Sequence, residues 1–381
     1  MVSSSLLLAL IPAVAAGPLA CKAPADAQPP TACKAPAPKP PAACKPKPAA
    51  SACTAPKGGF TIKAKSLYPE NADFDTSRCV TYISNLYNST VTVYDAAKND
   101  VTNVLTFDGI TNEKAFHISG VQRDDKHDML TISANAGAAF DTQGGDISGS
   151  NMLLQYNLTA GALAWQKDLT LTSNGVYGGF QDMEHDAAGN AFVIGTFPSS
   201  ILKVSADGNT VDEWFVSNKT GVTPKPHGFT GIAKFDDSRR VLVTDGETGQ
   251  LLKFDLAAPK GVPVVVPIGD EKIGADLDGA YLPPLHKNTV LLVSDNTLGT
   301  VVLRSKDGNW DAAERLGVVP KPAADTEGFA VATVQIADRI YAVTEYFGDA
   351  PDPKNATDTR TLLREDYPWY DITDDVQKLL K

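Results

Sequence analysis

From about position 60 onward the chain is a succession of short apolar runs separated by polar turns. The clearest is Val241-Leu242-Val243-Thr244-Asp245, followed by Gly249 and then Leu251-Leu252-Lys253-Phe254-Asp255. A near copy reads Val290-Leu291-Leu292-Val293-Ser294-Asp295, Gly299, Val301-Val302-Leu303. Runs of this length, rich in β-branched residues and bounded by small or acidic turns, predict strands. In Thr90-Val91-Thr92-Val93 strict alternation takes over, the period of a half-covered strand. The small residue that closes the first run recurs as Ser84, Ser133, Gly195, Thr244, Ser294 and Thr344, at intervals of 49, 62, 49, 50 and 50 residues. Strand–turn–strand units repeating every ~40 to 50 residues mark propeller blades, so the pattern predicts an all-β, six-bladed β-propeller. A four-stranded blade cannot bury both faces alone, so its neighbours must cover them and the ring must close to leave no exposed edge.

The single long interval comes from an insertion, Asn135 to Asn151, rich in Gly, Ala, Ser and Asp. A polar rim loop of this kind predicts either a binding loop or a surface excursion. Phe60-Thr61-Ile62-Lys63 precedes the first innermost strand and is expected to complete the last blade and latch the ring. The propeller is therefore placed at 59–350, with an acidic, Pro-containing C-terminal extension at 351–381 whose end, Val376 to Leu380, fits one or two helical turns.

Ahead of the blades, an apolar stretch from Leu6 to Val14 followed by Ala15-Ala16-Gly17 predicts a secretory signal peptide over 1–17, although no basic residue precedes it. Residues 18–58 change to Ala, Pro, Lys and Cys, with Ala-Cys-Lys-Ala-Pro at 20–24 and again at 32–36. Such a stretch has almost nothing to bury and predicts an extended, disordered tail. Its Cys21, Cys33, Cys44 and Cys53 fit an oxidising compartment. Intratail bridges, an intermolecular disulfide and a spacer without chemistry all remain open. Cys79 lies in a strand-like run and is expected as a buried, unpaired thiol. The sequons at Asn88, Asn157, Asn218 and Asn355 are expected glycosylation sites and agree with passage through the secretory route. No later run approaches the ~18 continuous apolar residues of a membrane span, so a secreted, extracellular product is expected.

Charge sharpens this picture. The net charge is −11, yet residues 1 to 60 hold six Lys and one Asp, which leaves −16 on the rest. An acidic body argues against nucleic acid and anionic lipid as partners. The basic tail fits contact with a cell-wall polymer.

Candidate chemistry follows from the repeat. The segment opening each innermost strand should face the channel mouth, and these segments supply Glu70, His117, Gln181 with Asp182, His227 with Thr230, Asp276 with Asp278, and Thr326 with Glu327. Convergent polar groups around one pocket predict a small-molecule ligand site. Glu70, Asp182 and Glu327 are the first acid–base candidates, with His117 and His227 as partners and Gln181, Thr230, Asp278 and Thr326 as ligand contacts. Asp276 and Thr326 equally suit turns that satisfy backbone donors. Carboxyls sharing one enclosed ring repel, so at least one should keep its proton near neutral pH. No nucleophile elbow, phosphate-binding Gly loop, helical metal motif or dinucleotide fingerprint occurs, which disfavours a covalent triad.

Two resemblances extend the reading. Tyr68-Pro69-Glu70 resembles the opening of the gluconolactonase and senescence-marker-type propellers, in which the Glu of a Pro-Glu pair binds a divalent metal. The likeness implies Glu70 and Asp278 as metal ligands, calcium foremost, with Asp182 or His227 where that family places an Asn. A longer likeness, from about Ser66 to Phe347, is to the fungal protein encoded by the fourteenth gene of the trichothecene toxin cluster. It is carried by Leu67-Tyr68-Pro69-Glu70-Asn71-Ala72-Asp73-Phe74-Asp75, by Gly178-Gly179-Phe180-Gln181-Asp182 with Glu184-His185-Asp186, and by Gly195-Thr196-Phe197-Pro198-Ser199-Ser200-Ile201. It implies a fungal source, a tie to secondary metabolism or virulence, and for the cluster member closure of an oxygen ring on a sesquiterpene. Three functions are thus in play: acid–base catalysis on a terpenoid or lactone-like metabolite without a cofactor, a metal-dependent lactonase, and a binding protein or virulence factor without turnover.

Overall fold

The computed structural model describes residues 53–269, 271–351 and 363–381. The signal peptide, most of the Cys-containing tail and Asn355 lie outside the described residues. The described residues form six antiparallel four-stranded sheets, each running from an innermost to an outermost strand. The innermost strands are Pro69–Asp75, Phe116–Asp124, Gly178–His185, Phe229–Lys234, Leu277–Tyr281 and Phe329–Ile336. Blades 1 to 5 are built from consecutive strands, whereas blade 6 takes its outermost strand from the other end of the chain. Phe60–Lys63 pairs with Asp366–Asp371, Ile62 opposite Tyr367, and this pairing latches the ring as expected. The boundary at 350 needs correction: Asp366–Asp371 pairs with Arg339–Glu345 as the third strand of blade 6. Its Asp, Pro and Trp content hid it, because a strand between a latch and its neighbour needs only a few apolar positions. The helix Thr373–Leu379 then seats Val376 against the strands of blades 5 and 6.

The core is six clusters, one at each blade interface, and period-two alternation decides which cluster a side chain joins. In Val290–Asp295, Leu291 and Val293 face blade 4 while Val290 and Leu292 face blade 6. In Arg240–Asp245, Val241 and Val243 face blade 3 while Leu242 faces blade 5. Second strands are apolar on both faces because both are covered, which explains the unbroken runs in the sequence.

The small residue that marks the repeat sits where the next blade's innermost strand comes closest. Ser84 Oγ donates to the Ser119 carbonyl at 2.7 Å, and Ser133 Oγ donates to the Phe180 carbonyl at 2.6 Å. Innermost strands also touch directly: a Cβ on Gly120 would collide with the Gln181 carbonyl, and one on Gly231 with the Asp278 carbonyl and the Ala280 nitrogen.

Cys79 is half-buried rather than buried and unpaired: its sulfur is bonded to that of Cys53, with Cα atoms 5.4 Å apart. Among the described residues no helix is long and apolar enough to cross a membrane. Gly120→Ala should destabilise the fold by about 1–3 kcal/mol through overpacking, read as a lower denaturant midpoint with unchanged slope. An unchanged midpoint would contradict the close approach at the axis.

Candidate functional site

Each innermost strand breaks register once, at the same level. The breaks fall between Pro69 and Ala72, Ile118 and Gly120, Phe180 and Asp182, Phe229 and Gly231, Leu277 and Ala280, and Ala330 and Ala332. A β-bulge leaves a residue unpaired and re-aims its side chain. The released residues are Glu70, Asn71, Ser119, Gln181, Thr230, Asp278, Gly279 and Val331, and together with Asp182 they line one cavity on the axis. That cavity measures about 10 Å³, room for one water-sized group.

Polar contacts hold the ring. Asn71 Nδ2 donates to Asp182 Oδ1 at 3.2 Å, and the Ile232 N–H points at Asp182 Oδ2 at 3.4 Å. Gln181 Nε2 donates to the Thr230 carbonyl at 2.8 Å, and the Thr230 and Thr244 hydroxyls are 2.9 Å apart. Asn296 Nδ2 donates to Asp278 Oδ2 at 2.7 Å.

The site is acidic without a matching cation, since no Lys or Arg lines the cavity. Burial pushes the Glu70 carboxyl well above the usual range, and the charges of Asp278, Glu345 and Asp182 add to the effect. Burial and Glu184 push Asp182 up to about 8. Burial raises Asp278 to about 7 against the opposing Asn296 hydrogen bond. Glu345, at the end of the second strand of blade 6, is fully buried, and burial raises it strongly as well. Glu70 Oε2 and both Glu345 carboxyl oxygens are buried with no hydrogen-bond partner among the described residues.

The chain has relatives among known proteins. Residues 49–313 match the family described as Mal s 1 allergenic protein-like. The chain belongs to the Mal s 1-like family. It is 34% identical over 306 residues to trichothecene biosynthesis protein 14 of Trichoderma arundinaceum, covering 76% of this chain and 83% of that protein. It is 31% identical over 343 residues to the core trichothecene cluster protein 14 of Fusarium sporotrichioides, covering 85% and 87%. The crystal structure of the major Malassezia sympodialis allergen Mala s 1 superposes with a TM-score of 0.70 at 22% identity, covering 82% of this chain and 95% of that one.

Within this Mal s 1-like propeller, Glu70, Gln181, Asp182, Thr230 and Asp278 come together as the sequence suggested, and four others do not. Glu327 has a side chain 71% exposed and pairs with Arg364 at 2.8 Å, and Thr326 beside it is exposed too. Blade 6 turns Val331, not an acid, toward the axis, because the bulge rather than the opening turn aims the side chain. The two imidazoles sit at the upper mouth, outside the cavity lining. His117 meets Tyr87 edge-on at 5.6 Å between ring centroids, and His227 lies against Phe197 at 5.5 Å. Burial lowers both histidine pKa values, so both rings stay neutral at pH 7. The insertion is ordered across this mouth: Phe140 packs edge-on against Phe197 at 5.3 Å, and the Lys225 N–H donates to the Gly144 carbonyl at 3.0 Å.

Sequence reasoning missed Glu345, yet a signal existed. The residue after the repeat's small residue is Asn85, Asp245, Asp295 or Glu345 in four blades. Asp245 and Asp295 accept N–H groups of the turns that follow, from Glu247 and from Thr297 and Leu298. Glu345 is the fully buried acid among these copies, and its oxygens, like Asn85 Oδ1, have no well-aligned partner among the described residues.

The metal ligands implied by resemblance do not assemble into a full donor set. Asp278 is engaged by Asn296, and among the described residues no three His, Cys, Asp or Glu are placed to hold one ion. Glu70 Oε2 and the Glu345 oxygens are the available donors.

The raised carboxyls make stability fall with rising pH. A native pKa above the unfolded value means the folded chain holds more protons between the two, so stability drops as pH climbs from about 4 toward about 8. Asp182, raised from 3.8 to about 8, sets that window. Thermal unfolding should therefore occur a few degrees lower at pH 8 than at pH 5.5, and Asp182→Asn should flatten the slope. A midpoint that rises over this range would refute the buried acidic cluster.

Proposed function

We propose that the upper end of the channel is an acid–base site for a small oxygenated metabolite of terpenoid or lactone-like type. The observation that carries this reading is the convergence of Glu70, Asp182 and Asp278 on one axial cavity without a cation among its lining residues, with Glu345 near enough for its charge to act on Glu70. Such a set holds protonated and ionised carboxyls side by side near pH 7, the pair that proton transfer requires. Glu70, with an unpartnered oxygen, donates to a hydroxyl, ether or lactone oxygen of the substrate. Asp182 or Asp278 accepts the proton released elsewhere in the molecule. The cavity admits one polar group, so the hydrocarbon part rests at the mouth beside the half-buried Tyr87 and His227. The two relatives named for trichothecene biosynthesis support an oxygenated terpenoid and a tie to secondary metabolism.

We further propose that the protein acts outside the cell. Support comes from the leader-like 1–17, the sequons and the Cys53–Cys79 bond. Asn218 is exposed and is the first expected glycan acceptor, and Asn157 is half-exposed. Asn88 already commits its Nδ2 to the Ser66 carbonyl at 3.0 Å.

Incubation of the purified protein with an allylic sesquiterpene diol, followed by mass spectrometry, tests the proposal. The expected product is the cyclic ether, with loss of water. Glu70→Gln and Glu345→Gln should each slow its formation by about 100- to 10,000-fold, whereas Glu327→Gln should not change it. EDTA should leave the rate unchanged; its loss would move the chemistry to a metal held by Glu70. Tight binding without turnover, indifferent to Glu70→Gln, would leave a binding protein instead.

A further inference from the structure

The same innermost strands enclose a second space at their other ends. Where the upper cavity is water-sized, this lower one measures about 360 Å³, within the range of small-molecule pockets. It is lined by Asp73, Glu184, Lys234 and Tyr281, each from the closing half of a different innermost strand, with Phe74 beside Asp73. Strand geometry separates the two spaces: Asp182 and Glu184 lie two residues apart on one strand face, ~7 Å along the axis.

The lining is an acid-rich wall whose cations are mostly committed. Arg123 is held by Asp75 and Asp125, and Lys126 bonds the Ala187 carbonyl. Lys234 is the cation that faces Glu184, its Nζ 3.4 Å from Oε2. Glu184 is only 7% exposed, and Lys234 is the one cation paired with it among the described residues. Asp73 Oδ2 accepts the Arg123 N–H at 2.7 Å and has no side-chain cation bonded to it among the described residues. Three cations, Arg123, Lys126 and Lys234, thus stand among six acidic side chains, with Phe74 and Tyr281 in the same lining, a balance that leaves room for a further cation.

We infer that the lower mouth is a binding site for a small organic ammonium ion, held by Asp73 and Glu184 and flanked by Tyr281. Its occupant needs no access to the upper cluster, so the site works independently of the acid–base reading.

Putrescine is a suitable probe, with 1,4-butanediol as the uncharged control, in calorimetric titrations of the full chain at pH 7.5 and 150 mM salt. One saturable site is expected for putrescine and none for the diol. Asp73→Asn and Glu184→Gln should each weaken binding at least tenfold, while Glu70→Gln should leave it unchanged. Lys234→Met, which removes the competing ammonium, should tighten it. Absence of saturable binding would overturn the assignment, and so would weakening by Lys234→Met or sensitivity to Glu70→Gln in place of Asp73→Asn. Should a variant fail to fold, a crystal of the unaltered protein soaked in putrescine decides the matter: density between Asp73, Glu184 and Tyr281 supports the site, and density elsewhere refutes it.

Discussion

Six strands must converge on one axis, and the room left there is the constraint on which the structure depends. Neighbouring innermost strands approach so closely that Gly120 and Gly231 face backbone atoms of the next blade. A regular ladder cannot hold that spacing and still give each blade its twist, so every innermost strand slips register at the same height. The slip turns one or two side chains inward per blade. What would otherwise be a packing concession becomes the lining of a cavity.

Burying carboxyls is costly, and the fold tolerates it because the cost falls where the core is not. Hydrophobic stabilisation is spread over six interblade clusters that lie outside the axis. The latch strand closes the one interface that chain connectivity leaves open, between blades 6 and 1, while the terminal helix seals the interface of blades 5 and 6. The axis is thereby free to carry groups that oppose folding and serve chemistry. Its two ends differ in kind. Above, acids sit without cations around a water-sized space; below, acids, two lysines and an arginine surround a larger polar one.

Fold and site were legible to different depths. The 49- to 50-residue steps from Ser84 to Ser133 and from Gly195 through Thr244 and Ser294 to Thr344 were enough for the blade count, because a small residue is required wherever the next blade leans in. Glu70, Asp182 and Asp278 were legible as acids in the openings of innermost strands. Glu327 was misread because it lies in the turn ahead of its innermost strand, where it meets solvent and Arg364, and Glu345 was missed because it closes a second strand, where sequence does not show which acids are buried. Likewise Asp366–Asp371 has too few apolar positions to announce a strand until Phe60–Lys63 is seen beside it.

The linear chain by itself therefore determined the repeat, the strand pattern, the closed ring and the uneven charge, since these depend on residue type and local period. Only the tertiary structure decided which acids meet, because that depends on register slips between strands dozens of residues apart. It also decided which acids lose their solvent. A carboxyl's proton affinity is set by what surrounds it, and Glu327 and Glu345, eighteen residues apart, end in water and in the interior of one blade.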